Sequence, residues 1–99
     1  MPDGGRHMNA AIRQHLLAAA QDVRVREILT FLYRDHPQGA SFEGLKEMLF
    51  LHEDFPDTRL QPLVEQKILM FHGTRYQIAA DARQVLDRDP TILMEEFLR

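Results

Sequence analysis

Five histidines and fifteen carboxylates are the groups with which this 99-residue chain could hold a metal or move a proton, and it has no cysteine. The histidines are His7, His15, His36, His52 and His72. None is spaced from another as paired metal ligands on one helix or strand would be. The carboxylates are plentiful but scattered, and the chain carries no GxSxG, HExxH or phosphate-cradling glycine loop. Glu95-Glu96 reads as a solvated edge. The absence of cysteine excludes disulfides, thiolate catalysis and Cys-ligated zinc. These residues predict no enzyme, no metal and no cofactor.

The remaining chemistry is that of charge, and its distribution is uneven. The net charge is −3. Residues 41–67 hold three basic and six acidic side chains, whereas residues 68–80 hold Arg75 and no acid. Arg59, Lys67 and Arg75, with Lys46 nearby, are the cations that could neutralise phosphate. Asp57 and Glu65 stand beside them, and a solvated face of paired charges is the ordinary alternative. At 44% hydrophobic and 27% charged, the chain matches a single domain with a modest core.

The elements that would position these side chains follow from apolar spacing. "MPDGGRH" has no periodicity, so residues 1–8 are expected to be a disordered tail and 9–99 one domain. From Asn9, "NAAIRQHLLAAA" predicts a helix whose apolar face is Ile12, Leu16 and Ala19 or Ala20. Asp22 can cap a second helix, with Val25, Ile28, Leu29 and Leu32 as its stripe, ending at "HPQG". Ser41 caps "SFEGLKEMLFL", where Leu45, Met48 and Leu49 are expected to be buried and Phe50 and Leu51 to extend that surface. In "TRLQPLVEQK", Thr58 and Gln61 have capping-box spacing. Pro62 disturbs that start, giving either a distorted first turn or a very short helix beginning at Pro62. Leu60, Leu63, Val64 and Ile68 face inward in both cases.

"KILMFHGTRYQIAA" changes period from 3.6 to 2. Gly73-Thr74 suits a type II′ turn, which pairs His72 with Arg75, Phe71 with Tyr76 and Leu69 with Ile78. Asp81 is the expected cap of "DARQVLDRD". Asp89-Pro90 opens "PTILMEEFLR", whose apolar residues predict docking on the domain or on a second copy.

The order of helix, helix, short helix, hairpin and helix resembles the winged helix-turn-helix superfamily. The resemblance rests on "VREILTFL", "SFEGLKEML", "TRLQPLVEQKIL" and "ILMFHGTRYQIA", and spans about Val23 to Leu86. It implies a mainly α fold with a small β-hairpin, flanked by extra N- and C-terminal helices. It also implies a transcription regulator whose third helix enters the major groove of duplex DNA while the wing meets the backbone. Thr58, Arg59, Gln61, Gln66 and Lys67 would then face the duplex, with His72, Thr74 and Arg75 on the wing. Arg59 suits guanine and Gln61 adenine. The competing expectation is a protein-interaction module of the same fold that does not bind DNA.

Either reading accommodates a homodimer, expected through Ile12, Leu16, Ile92, Leu93 and Phe97. No apolar run approaches the roughly 20 residues that span a bilayer. No signal-peptide layout is present, so a cytoplasmic location is expected.

Overall fold

Asp22 sets the first boundary in the chain. Its Oδ1 accepts the backbone N–H groups of Arg24 and Val25 at 3.0 and 3.3 Å, which starts helix α2 (Val23–Thr30). The computed structural model describes residues 2–51 and 55–94, with side chains from Ala10 onward. Before the break, helix α1 runs Pro2–Ala19. Residues 2–8, expected as a tail, are therefore its first turns, and Asn9 does not cap it. Pro2 stands at the first helical position, where a missing N–H loses no intrahelical bond. Gly4 and Gly5 each weigh against a helix by only about 1 kcal/mol.

Helix α2 continues into a wide π-helical turn at Phe31–Asp35, closed by the His36 N–H on the Phe31 carbonyl. Pro37 stops the helix there. Gly39 then adopts φ +95, and a Cβ on it would lie 2.8 Å from the Tyr76 carbonyl oxygen. This glycine admits a short strand, β1 (Ala40–Ser41), which the sequence did not announce. Ser41 Oγ accepts the Gly44 N–H and starts helix α3 (Phe42–Leu49).

The next helical segment is a 3-10 turn, Asp57–Leu60, leading directly into helix α4 (Gln61–Glu65). The turn begins one residue before Thr58, from the extended Pro56, so the Thr58–Gln61 capping box does not form. Pro62 falls in a distorted first turn, where its lack of an N–H is tolerated. Leu60, Leu63 and Ile68 are buried as expected, and Val64 is half-buried.

Strands β2 (Leu69–His72) and β3 (Arg75–Ile78) pair with His72 opposite Arg75, Phe71 opposite Tyr76 and Leu69 opposite Ile78. The hairpin register is the one its turn chemistry predicts. Gly73 has φ +65, and Thr74 is absent from the positive-φ residues, as a type II′ turn requires. β1 adds to the other side of β3, giving a three-stranded antiparallel sheet in the order β1-β3-β2. The described fold is thus mostly helical with a small antiparallel sheet.

Helix α5 (Ala80–Arg88) starts from Ala79 rather than from Asp81, which sits in its first turn. The reason is that Ala79 is shared: its N–H still bonds the Ile68 carbonyl, and its own carbonyl already accepts the Arg83 N–H. Beyond it, Pro90–Leu93 form a 3-10 turn rather than the start of a longer helix, and residues 95–99 lie outside the described residues. Asp89 accepts the Thr91 hydroxyl and pairs with Arg13 of α1 at 2.6 Å.

The expected dimer surface is used within the chain. Ile12 and Leu16 are 1% and 0% exposed, packed with Ile28, Leu86 and the rest of one core, and Ile92 and Leu93 join them. A stripe on an amphipathic helix does not state whose core it enters, and here α1 packs against α5 of the same chain. Phe97 lies outside the described residues. Conversely, Met48 and Phe50, expected in the buried surface of α3, are 54% and 87% exposed. Phe50 holds the left-handed position that ends α3, and the chain turns so that Leu51 enters the core instead.

Two measurements check this core. Leu16→Ala is expected to cost about 2–5 kcal/mol in denaturant unfolding, independent of protein concentration. A cost that shrinks on dilution would move Leu16 back to an interface. Asp89 is held below its ordinary value of 3.8, first by the Thr91 hydroxyl and then by Arg13. A depressed carboxyl stabilises the fold above its unfolded pKa and loses that contribution as pH falls through the folded one. The melting-temperature gap between wild type and Asp89→Asn should therefore be open at neutral pH and close below about pH 4.

Candidate nucleic-acid interface

The hairpin and the α4 region carry the eight candidate side chains, and all but Gln66, which is half-buried, are exposed. Their settings differ. Among the described residues, the side chains of Thr58, on the 3-10 turn, and Gln61, at the start of α4, make no hydrogen bond. Arg59 is engaged. Its guanidinium pairs with Asp22 Oδ2 and lies over the Phe55 ring, 4.7 Å from the centroid. Phe55 precedes the 3-10 turn, outside any helix, so a spacing of four was no signal of that contact. Asp22 lies far upstream and gave none.

Lys67 occupies a special backbone position. The Ile68 N–H bonds the Leu63 carbonyl at 2.9 Å and the Lys67 N–H bonds the Val64 carbonyl at 3.1 Å. These are the two bonds of a Schellman motif, which ends α4 with Lys67 in the left-handed region at φ 66. Glycine is the usual residue there, and a side chain costs about 1 kcal/mol. An exposed cation is thus held on the candidate face at some expense of stability.

His72 and Arg75 close the hairpin turn as a cross-strand pair, with Thr74 between them in the chain. Thr74 and Arg75 also line an open groove with Phe31 and His36 at the end of α2, Ser41, and Glu47 and Met48 of α3. Among the described residues neither Lys67 nor Arg75 makes an ion pair. The whole stretch from Gln66 to Ala80 contains no acid.

Acids border it on the helical side. Glu43, Glu47, Asp57 and Glu65 are exposed, while Glu53 and Asp54 lie outside the described residues. Burial pushes the Tyr76 phenol above 10.0, and the charge of Asp57 adds to that. Tyr76 and Phe71 meet across the hairpin with ring centroids 4.7 Å apart and planes tilted by 47°, Tyr76 buried and Phe71 50% exposed. Their pairing is a core contact that thins toward the tip.

A separate polar cluster ties α2 to α5. The Tyr33 hydroxyl donates to Asp87 at 2.5 Å, which raises its pKa, and Arg83 lies over the Tyr33 ring at 4.9 Å. It holds the π-helical turn against α5 and reaches none of the candidate residues.

No family model, curated protein or solved structure matches the chain. Among the described residues, no helix is long and apolar enough to cross a membrane, and no group of three histidines or carboxylates could hold a metal ion.

Asp22 has two jobs that substitution can separate. Asp22→Ala should lose about 0.5–2 kcal/mol with the α2 cap, whereas Asp22→Asn, which caps as well, should lose much less. Equal losses in thermal melts would mean that the Arg59 pair, and not the cap, supplies the stability.

Proposed function

We propose that this is a winged helix-turn-helix protein that binds duplex DNA with its hairpin as the principal contact. The element order α2, β1, α3, α4, β2, β3 and the sheet order β1-β3-β2 support the winged reading, since they supply a helix pair and an adjoining hairpin braced by a third strand. The observation that carries the DNA reading is the acid-free stretch from Gln66 to Ala80, with exposed Lys67, His72, Thr74 and Arg75 along it. Cations free of carboxylate partners are what phosphate neutralisation requires.

The reading helix contributes less than the sequence suggests. α4 has five residues beyond one 3-10 turn, and Arg59 is neutralised by Asp22. Gln61 is left as the exposed side chain suited to a base edge. Ile12, Leu16, Ile92 and Leu93 are in the core, so binding is proposed for one copy of the chain. Binding through so few phosphates is weak and strongly dependent on salt.

The second reading, a protein-interaction module, is favoured by the exposed Met48, Phe50, Met70 and Phe71. It predicts no retention of DNA at any salt concentration. The two part company in a fluorescence titration with mixed-sequence duplex at low salt. On the DNA reading, Arg75→Ala weakens binding and flattens the plot of log K against log salt by about 0.9. Lys67→Gly should weaken binding likewise, yet raise stability by about 0.5–1 kcal/mol by relieving the left-handed backbone. Unchanged binding in both variants would remove the hairpin from the interface.

A further inference from the structure

Asp22 places one carboxylate oxygen on each of two duties. Oδ1 accepts the Arg24 and Val25 N–H groups at the start of α2, while Oδ2 pairs with the Arg59 guanidinium. Arg59 is the one arginine of the segment that would face a duplex, and it emerges from the 3-10 turn that leads into α4. Phe55 supports its guanidinium from below at 4.7 Å. Both partners of the pair remain 39% exposed at their side chains, so a competing anion can reach the guanidinium.

We infer that Asp22 is an internal competitor for Arg59: its carboxylate occupies the site that a DNA phosphate would take and thereby restrains binding by the reading helix. The inference rests on the DNA reading above. Asp22 is a positioning residue in this scheme, acting through Arg59 and touching no nucleic acid. The arrangement fits competition better than a purely structural tie. The α2 cap uses the other oxygen and persists when Arg59 leaves, and Phe55 holds the guanidinium near the surface after Asp22 is neutralised. An exposed ion pair is weak enough to exchange. A phosphate offers the same charge and forked geometry.

The full chain is titrated with mixed-sequence duplex DNA across a salt series, using Asp22→Asn and Asp22→Ser, which keep a capping oxygen and remove the charge. Each should tighten binding about threefold, the worth of an exposed pair, and leave melting nearly unchanged. Each should also steepen the log K against log salt plot by about 0.9, because one more phosphate is neutralised. Arg59→Ala combined with Asp22→Asn should abolish the gain in both affinity and slope. Asp57→Asn removes an acid from the same turn without freeing a cation, and should leave the slope as it was.

A gain that survives Arg59→Ala, or that comes without a steeper slope, would reduce Asp22 to one more repelling charge and overturn the inference. If wild type binds and Arg75→Ala loses binding while Asp22→Asn changes nothing, the competition alone is wrong. If no variant binds duplex at any salt, the DNA reading and the inference fall together.

Discussion

The approach of β1 to β3 through Gly39 is the contact on which the geometry around the candidate site depends. With a Cβ at that position 2.8 Å from the Tyr76 carbonyl oxygen, any other residue would push the strands apart. Ser41 belongs to β1 and also caps α3, so the strand pairing fixes where α3 starts relative to the hairpin. On the far side of β3, the Ala79 N–H closes the last rung to Ile68, and α5 begins at the next residue. Four elements are therefore indexed to one strand of four residues. The groove between α3 and the hairpin tip, with Glu47 on one side and Arg75 on the other, follows from that indexing.

The sequence was most legible where two independent signals agreed. In the hairpin, the turn preference of Gly73 and the alternation of Leu69, Phe71, Tyr76 and Ile78 demanded the same register, and a slip by one residue would have exposed the buried set. Asp22 and Ser41 were readable for a similar reason, since a capping residue stood where a periodic stripe began. β1 was illegible because two residues have no period, and its pairing partner lies much later in the chain. Phe50 misled because hydrophobicity alone does not locate the end of a helix. The left-handed turn at that residue throws its side chain outward, and Leu51 takes the core position. Ile12 and Leu16 misled differently: their pattern correctly gave burial, while the identity of the covering surface is a property of the tertiary fold.

The candidate site was legible as a set of exposed positions but not as a set of available charges. Spacing placed Arg59, Gln61 and Lys67 outward, and they are exposed. Availability depends on neighbours brought in by the fold, and Asp22 is such a neighbour. The winged helix-turn-helix likeness remains a proposal, resting on element order, sheet order and the hairpin.

Charge is divided by element, and at physiological ionic strength that division matters more than the net value. Screening over about 8 Å confines an exposed charge to its own surroundings. Lys67, His72 and Arg75 lie in the acid-free stretch, whereas Glu43 and Glu47 belong to α3, and Glu47 lines the same groove as Arg75. A chain of net charge −3 can thus still hold an acid-free edge, with Glu47 across the groove from its tip. Within that edge Lys67 is the more informative cation. Arg75 sits in ordinary strand geometry, but Lys67 fills a left-handed position that glycine would fill with less strain. Its stem gains no compensating burial, since the residue is exposed. The turn that ends α4 therefore sets two local effects against each other, the strain of a lysine where glycine fits better and the favourable placing of a cation at a helix C-terminus.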